Sequence, residues 1–562
     1  MIAAYTGVAA TNIGSGARTL TDLFRLAKCN EASGDLAPLE GDDLQAFVDD
    51  LEGVELLVID EISMVSRVVL AQIHARLREW RLSCGRVDLA SEVFGGIAVI
   101  LASDFGQLPP VAVSPSLSLL HPYIVREIRE HKAANLGMRL LAGFDTVVRL
   151  RRVHRQAGAS VFKESLIRTR DGAMTKEDHV LWRSHDLADI DACSLSPEER
   201  SYFEDDVPHL FAENVPAGAR NGFKLGQHAS AKGVTILRVA SGDSTSAAAR
   251  QSHDQYGQLR RVVHLSIGAP VMLIANLRTS VGLVNGAMGR VVAAVLREGW
   301  GQTAEELRNA IPAGDVRYVI VDFPAYKGPV FFPGRPTWVP IPPLRVRHRR
   351  LRQWQRLQLP LALAWGLTIH KSQGLTFLKG CVVDFAHGPS YQPVAQVGLA
   401  FVGMSRCTSW SLQAFRNLPS FWEFRKVLQD PLFRWRKAFE ENMDALHDST
   451  MEVFKNAPWG VDDDLRAHID WTVRAKGHDL TKEEVEDLRA MLAVRGVLPP
   501  PEYEDEPQPG PRGIRGGGGR KQKRGMQAPR SKRQLLSLAE PNQEHLEQPP
   551  DAMAGPFCDI DV

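Results

Sequence analysis

The chain has 562 residues, 44% of them hydrophobic and 24% charged, which is enough for several domains with buried cores. The formal net charge is only +1, so overall charge identifies no class of partner. The six cysteines form no C-x-x-C pair, which argues against a disulfide framework or a zinc site and favours a reducing compartment. No apolar run reaches the ~18 residues of a membrane helix, so we expect no membrane partner.

Apolar runs that end in polar residues recur along the first 105 residues. These runs are Met1–Tyr5 before Thr6-Gly7, Leu56–Ile59 before Asp60-Glu61, and Ile97–Leu101 before Ser103-Asp104. Between the last two, residues 64–80 have apolar side chains at helical spacing. Buried strands that alternate with helices predict an α/β fold with a parallel sheet covered on both faces.

The pattern changes further along the chain. A second α/β unit begins near residue 144, and residues 262–340 contain short apolar runs separated by Gly and Pro, typical of a small β-barrel. Residues rich in Pro, Gly and charge follow position 499 and predict disorder. The predicted domains are a first α/β domain (1–143), a second α/β domain (144–261 and 359–419), an inserted barrel (262–358), a helical extension (420–498) and a disordered basic tail (499–562).

Positive charge is concentrated in two segments. Residues 345–356 hold six arginines and no acid, and residues 512–533 hold nine Lys or Arg and no acid. Such segments can contact phosphate, but a solvated face or a flexible tail has the same composition, and the sequence leaves both open. The basic run at 520–524 could be a nuclear signal or an additional DNA contact.

Several polar strings carry chemistry that suits nucleotide hydrolysis. Asp60-Glu61 places two carboxylates after a strand, where one can hold Mg²⁺ and the other can orient or deprotonate water. Gln107, on a loop bounded by prolines, could sense a phosphate, and Arg406 could stabilise transferring phosphate charge. The string around His370 and Lys371 could contact a phosphate backbone. Each has an ordinary alternative, such as a helix cap, a turn, a surface ion pair or a core histidine.

In this order, the strings resemble superfamily 1 helicases of the RecD-like branch, most closely the petite-integration-frequency (PIF-type) DNA helicases. The resemblance covers roughly residues 1–415. It is carried by TGVAA at 6–10, IDEISM at 59–64, DFGQLPP at 104–110, RQ at 155–156, Asn221, GAPVML at 268–273, Asn276, GLVNG at 282–286, LPL at 359–361, TIHKSQGLT at 368–376 and MSR at 404–406.

The resemblance implies two RecA-like parallel-sheet motor domains, the first one incomplete, with an inserted SH3-like barrel and ATP bound between the motors. It implies an ATP-dependent helicase that moves 5′ to 3′ on single-stranded DNA and unwinds duplexes in repair, recombination or telomere maintenance. Its cofactors would be ATP and Mg²⁺, and its partners single-stranded and forked DNA. We expect a monomer in the nucleus, with the mitochondrion as the alternative.

The resemblance also assigns roles to residues. Asp60 would bind Mg²⁺, Glu61 would be the general base, Gln107 would sense the γ-phosphate, and Arg155 and Arg406 would reach it from the second domain. Asp60, Gln107, Arg155, Gly374 and Arg406 would contact the nucleotide. The positions that would touch DNA or couple it to ATP are Thr6, Gly7, Asn221, His370, Lys371, Ser372 and Gln373.

The main departure from the family is the phosphate loop. The sequence contains no Gly-Lys dipeptide, so no G-x-x-x-x-G-K-[ST] loop is present in it. The family places that loop roughly 30 residues before the Thr6 position. Two smaller departures are Thr21, where the family has histidine, and Ser103, where it has glycine.

Three hypotheses remain open at this point. The first is a helicase whose sequence is N-terminally truncated here. The second is a catalytically dead DNA-binding scaffold, and the third is a fragment of a Helitron-like replicase-helicase. An upstream phosphate loop would select the first, a true start at Met1 the second, and an upstream nicking-endonuclease domain with paired tyrosines the third.

Overall fold

The computed structural model describes residues 1–14, 16–26, 36–110, 114–123, 132–156, 160–297, 310–349, 351–387, 396 and 398–456. The predicted tail, and the predicted helical extension beyond residue 456, lie outside the described residues. Within the described part, no helix combines the length and the hydropathy needed to cross a bilayer. The contacts discussed below lie within the compact unit that contains Met1–His447.

The structure alternates helices and short strands. The helices are α1 Gly7–Ile13, α2 Leu20–Leu23, α3 Gly41–Leu51, α4 Arg67–Ser83, α5 Val87–Ala90, α6 Lys132–Ala142, α7 Ser160–Arg170, α8 Lys176–Arg183, α9 Pro197–Asp205, α10 Asn214–Lys232, α11 Ser246–Ala249, α12 Ile369–Ser372, α13 Leu399–Met404, α14 Phe421–Phe424 and α15 Pro431–Asn456. The strands are β1 Ile2–Ala4, β2 Arg18–Thr19, β3 Leu56–Asp60, β4 Ala98–Leu101, β5 His209–Phe211, β6 Leu237–Ala240, β7 Gly242–Asp243, β8 Val262–Leu265, β9 Pro270–Leu273, β10 Met288–Leu296, β11 Ile311–Pro312, β12 Val316–Asp322, β13 Trp338–Ile341, β14 Leu344–Arg347, β15 Gln355–Gln358, β16 Leu361–Leu363, β17 Gly366–Thr368, β18 Cys381–Asp384 and β19 Gln413–Arg416.

The first sheet is parallel, with strand order β2-β1-β3-β4. Ala4 pairs with Asp60, and Ile59 pairs with Leu101, so the strands are nearly in step. Since all four run the same way, their carboxyl ends meet at one edge, where parallel sheets bind ligands. That edge brings together the residues after β1, β3 and β4, as the sequence pattern predicts.

Helix α4 shows why this sheet is stable. It begins at the cap Ser66, whose hydroxyl accepts the Val69 N–H at 3.3 Å. Its apolar residues recur at helical spacing, and Ile73 and Leu77 are fully buried. Burial of each such side chain contributes about 2 kcal/mol. The predicted helix at 64–80 is therefore present, with its start three residues later.

The second parallel sheet has strand order β17-β5-β18-β19. Every residue of β5 and β18 is buried, as expected for central strands covered on both faces. Helix α12 begins directly after β17, so its residues lie at the carboxyl edge of this sheet. The two parallel sheets thus each present a loop edge that can carry a site.

The β-rich region contains a five-stranded antiparallel sheet in the order β13-β12-β10-β9-β16 and two three-stranded sheets. Strands β6 and β7 precede residue 262, yet they pair with β8, β11 and β15. Strand β16 follows residue 358. Strand pairing in this region therefore extends past both ends of the predicted 262–358 barrel, whose boundaries stay a prediction.

Helix α15 contacts both α/β parts. Its Phe439 ring lies 4.9 Å from that of Phe105, after β4. Its Glu440 accepts a 2.5 Å hydrogen bond from Arg170 at the end of α7, and Arg170 also donates to Asp104 at 2.5 and 3.0 Å. Burial acts to raise the pKa of Asp104, but Arg170 outweighs it and holds that pKa below its ordinary value. One guanidinium thus ties the end of β4, α7 and α15 together.

We predict that Arg170→Leu lowers the stability of the protein by about 2 kcal/mol, because it removes the nearest counter-charge of Asp104 and Glu440 and leaves them only the more distant Arg436 and Lys437. The side chain of Arg170 is only 17% exposed, so solvent screens this network weakly. The measurement is the unfolding temperature, followed by circular dichroism. The matched control is Arg86→Leu, which breaks an exposed pair with Asp88 and should leave that temperature unchanged.

The difference between wild type and Arg170→Leu should depend on pH. The folded-state pKa of Asp104 is depressed, so its contribution is complete above the ordinary carboxyl value of 3.8. It is lost as the pH falls through the lower folded-state pKa. The two unfolding temperatures should therefore converge below about pH 4. An equal difference at all pH values would contradict this account.

Candidate functional site

The end of β3 delivers two carboxylates in a constrained turn. Asp60 Oδ1 accepts the Glu61 N–H at 2.9 Å. Glu61 has φ 57° and ψ 39°, the left-handed region that a residue with a side chain seldom adopts. Strain of this kind concentrates at functional sites, where the surrounding structure holds it in place.

The loop after β4 holds this turn. The Ile62 N–H donates to the Ala102 carbonyl at 3.2 Å, and the Ser63 N–H donates to the Ser103 hydroxyl at 2.8 Å. Ser103 stands where the family has glycine, and a glycine has no side chain to accept this bond. The sequence shows only that Ser103 differs from the family glycine. It gives no sign that the Ser103 hydroxyl accepts a bond from Ser63, because 40 residues separate the two.

The environment of Glu61 favours its protonated form. Burial raises the pKa of Glu61, and the nearby carboxylates of Asp60 and Asp104 act in the same direction. The Gln373 amide and the Arg406 guanidinium act against them, yet the pKa stays above its ordinary value. A carboxylate with a raised pKa is a better general base, because proton transfer is more efficient when its pKa approaches the working pH.

Gln373, directly after α12, reaches Glu61 from the second parallel sheet. Its Nε2 donates to Glu61 Oε2 at 3.2 Å, while its buried Oε1 has no hydrogen-bond partner among the described residues. The next residue, Gly374, has φ 78°, and its carbonyl accepts from Asn12 of α1 at 2.9 Å. A Cβ at this glycine would lie 3.2 Å from Val8 Cγ1, which leaves little room for a side chain. Helices α1 and α12 therefore meet beside Glu61.

The two predicted phosphate-reaching arginines lie close to this contact. Arg406 is fully buried and donates to the carbonyl of Val402 at 2.6 Å and to the Ser405 hydroxyl at 2.9 Å. Burial and the charge of Arg155 lower the pKa of Arg406 to about 9, although Glu61 acts to raise it. Arg155 donates to the Ser405 carbonyl at 3.1 Å, and burial lowers its pKa too. Nη1 of Arg406 also donates to the carbonyls of Ser372 and Leu375 at 3.5 and 3.4 Å, so Arg406 ties the end of α13 to the segment around Gln373.

Gln107 sits in a tight turn after β4. Its N–H donates to the Asp104 carbonyl at 3.0 Å, and Asp104 Oδ1 accepts the Gly106 N–H at 2.8 Å. A Cβ added at Gly398, just before α13, would lie 2.3 Å from the Gln107 carbonyl oxygen. The Gln107 turn is therefore packed against the second α/β part, and a glycine at 398 is needed for that approach.

Thr6 and Gly7 form the start of α1. The Thr6 hydroxyl accepts the Ala9 N–H at 3.1 Å, so it caps the helix. A Cβ at Gly7 would lie 2.6 Å from Asn276 Oδ1, and one at Gly286 would lie 2.6 Å from Val8 Cγ2. The GLVNG loop of the β-rich region thus packs directly on α1, which explains the small residues in both strings.

The remaining predicted DNA-contact residues occupy different places. His370 and Lys371 are half-buried on α12, and burial lowers the pKa of each. Ser372 is fully buried, with its hydroxyl donating to the Ile369 carbonyl at 2.8 Å. Asn221 lies at the other end of β17, where its amide both donates to and accepts from the Gly366 backbone at 2.8 Å. The geometry gives Asn221 a bracing role in β17.

The structure thus brings most of the sequence-predicted residues together. Asp60 and Gln373 hydrogen-bond with Glu61, Arg155 and Arg406 are close enough to interact with its charge, and Gly374 packs against α1, which starts at Thr6 and Gly7. His370, Lys371 and Ser372 form the helix before Gln373, and Gln107 lies in the turn after β4. Asn221 lies apart from them. The structure gives the positions of these residues, and their roles toward nucleotide or DNA stay predictions.

The site provides two adjacent carboxylates, Asp60 and Glu61, as possible ligands for Mg²⁺. The described residues contain no group of three or more His, Cys, Asp or Glu side chains arranged to hold a metal ion. Nucleotide-bound Mg²⁺ needs only one or two protein carboxylates, since phosphate oxygens and water complete its shell. Asp60 and Glu61 provide such carboxylates at the carboxyl edge of the first sheet.

Fold and site together define an α/β protein whose two parallel sheets meet, through Gln373 and Glu61, at a candidate site. Residues 1–179 match the family model for PIF1-like helicase, and residues 252–293 match that for the DNA helicase Pif1 2B domain. The ATP-dependent DNA helicase PIF1 of Danio rerio is 28% identical over 452 residues, covering 80% of this chain and 59% of the relative. The Psychrobacter ATP-dependent DNA helicase Pif1 is 26% identical over 398 residues, covering 64% and 53%. This chain therefore spans a little over half the length of these relatives.

Solved structures agree on the fold. Pif1 helicase from Candida albicans superposes with a TM-score of 0.51 at 23% identity, covering 78% of this chain and 88% of that one. Pif1 helicase from Bacteroides in complex with ADP-AlF3 and ssDNA gives 0.52 at 22%, covering 78% and 87%. The predicted pair of RecA-like parallel-sheet domains with an additional β-domain is confirmed. In these segments and in its fold, the chain is similar to PIF1-like helicases.

The strain at Glu61 gives a test that needs no ligand. We predict that Glu61→Gly is more stable than Glu61→Ala by about 1 kcal/mol, because glycine adopts the left-handed region without the Cβ penalty. Both variants lose the carboxylate and its bond to Gln373, so the comparison isolates the backbone. The measurement is urea unfolding of the two purified variants. Equal midpoints would show that the turn is relaxed.

Proposed function

We propose that this chain forms the motor of an ATP-dependent DNA helicase that moves 5′ to 3′ along single-stranded DNA and unwinds forked duplexes. The observation that carries the proposal is the hydrogen bond between Gln373 and Glu61. Gln373 belongs to the string whose relatives contact DNA, and Glu61 is the candidate general base. A change in α12 on DNA binding would therefore be transmitted directly to the carboxylate.

The residues of the site support hydrolysis in defined ways. Glu61, with its raised pKa, would accept the proton of the attacking water. Asp60 would hold Mg²⁺, which when bound neutralises charge on the β- and γ-phosphates. Arg155 is half-buried near Glu61 and is placed to meet phosphate charge after a small movement. Arg406 would need to exchange its carbonyl partners to do the same.

The phosphate loop is the part of the machinery that these 562 residues do not contain, because no Gly-Lys dipeptide occurs in them. Backbone N–H groups and a lysine of such a loop normally provide most of the phosphate affinity. We propose that a segment outside this sequence supplies the loop. We further propose that the motor is a monomer and acts in nuclear genome maintenance. These proposals rest on the resemblance and, for the nucleus, on the basic run at 520–524.

A DNA-binding protein without hydrolysis is the second candidate, and the missing Gly-Lys dipeptide favours it. Such a protein would keep the α1 and α12 surface while lacking phosphate affinity. The 5′ end of the transcript separates the two functions. An upstream frame that runs through a G-x-x-G-x-G-K-[ST] loop into Met1 supports the motor. Translation that starts at Met1, with no ATP hydrolysis by the chain, supports the second candidate.

We predict that, in the protein carrying that loop, Glu61→Gln lowers the kcat of DNA-stimulated ATP hydrolysis by at least about 100-fold, the usual contribution of a general base. KM for ATP should change little, since the amide keeps the size and the bond to Gln373. The control is Glu55→Gln, an exposed position just before β3. A kcat within about threefold of wild type would remove Glu61 from the chemistry.

A further inference from the structure

A small cleft lies beside α12 and the β-rich region, and neither Glu61 nor Gln373 lines it. It is lined by Lys371 of α12 and by His253 and Arg260. His253 and Arg260 both belong to the segment between α11 and β8. Asn214 and Gln258 add polar groups at the rim, and Ile274 and Ala362 form an apolar floor.

The cleft crowds positive charge. Burial lowers the pKa of Lys371, and Arg260 lowers it further, while burial also lowers the pKa of Arg260 itself. No ion pair of either side chain with a carboxylate is found within the described residues. For His253, burial and the two cations lower the pKa while Asp254, 3.8 Å away, acts to raise it. That carboxylate also accepts 2.7 Å and 3.0 Å bonds from Gln258 and Ser252.

Such an arrangement is unfavourable without an anion. Like charges in a half-enclosed cleft repel each other, and the cleft walls concentrate their field on whatever enters. Gln258 has φ 69°, in the left-handed region, and its Nε2 donates to Asp254 Oδ1 at 2.7 Å. The Asp254 carboxylate is thereby occupied on the rim side.

We propose that Arg260 and His253 of the β-rich region, together with Lys371 of α12, form a subsite for one phosphodiester group of single-stranded DNA. This inference rests on the proposed function and deepens it, because the subsite lies two residues from Gln373 along the chain. A phosphodiester bound there would bridge the β-rich region and α12. The polar rim and apolar floor present few groups for recognising base edges, so binding at this subsite is independent of sequence.

Salt dependence tests the subsite, since each phosphate neutralised on single-stranded DNA contributes about 0.7 to the slope of log affinity against log salt. Fluorescence anisotropy with an oligothymidylate probe measures that slope for the full chain. Arg260→Gln should reduce it by about 0.7 and weaken binding about tenfold at low salt. Arg260→Lys keeps the charge and should keep the slope. Arg317→Gln, an exposed arginine on β12, is the matched control and should change neither quantity.

The possible outcomes test the subsite and the proposed function separately. If wild type and Arg260→Gln bind with the same slope and affinity, the subsite is wrong while DNA binding stands. If the unaltered chain binds no oligonucleotide, the proposed function falls and the subsite with it. If inorganic phosphate binds wild type but not Arg260→Gln, while both bind the oligonucleotide with the same slope and affinity, the site takes free phosphate, and the phosphodiester assignment is overturned.

Discussion

The hydrogen bond from Gln373 to Glu61 is the interaction on which the rest of the site depends. It joins the carboxyl edges of two parallel sheets, and each partner is held by its own constraints. Glu61 is fixed by a left-handed turn that the backbone of Ser63 and the hydroxyl of Ser103 tie to β4. Gln373 is fixed by the short helix α12 and by Gly374, which lies against α1. Neither sheet alone can place both groups.

The electrostatics of the site follow from that junction. Packing two α/β parts together buries Glu61, Arg155 and Arg406, and burial penalises the charged form of each. The opposite charges reduce this penalty for one another without removing it. The Arg406 guanidinium donates to the Val402 carbonyl and the Ser405 hydroxyl, and to the carbonyls of Ser372 and Leu375. These bonds are how a buried arginine avoids an orphaned donor. A phosphate bound at this junction would supply a further counter-charge to Arg155 and Arg406.

The sequence could predict the strand ends but few of the long-range partners. Asp60-Glu61 was identifiable because an apolar run leads into it, and a parallel strand must deliver its last residues to the ligand edge. The pairing of Arg170 with Asp104 left no local signal, since 66 residues separate them and an arginine at a helix end is common. The bracing of Gly366 by the Asn221 amide, 145 residues away, also left no local signal, while the DNA contact that the resemblance implies for Asn221 stays a prediction. Strands as short as β7 carry no periodicity at all.

The β-rich region helps to form both surfaces that α12 presents. On one side its GLVNG loop meets α1, where Gly7 and Gly286 allow approaches that a Cβ would block. On the other side Arg260 and His253 line the basic cleft together with Lys371. The β-rich region therefore contacts α1 and lines a cleft with α12 at the same time. Because α12 connects these contacts to Glu61 through Gln373, a shift of the β-rich region on DNA binding would change the environment of the carboxylate. In the proposed motor, the β-rich region is therefore part of the coupling path between DNA and Glu61, because it packs against α1 beside that carboxylate's partner Gln373.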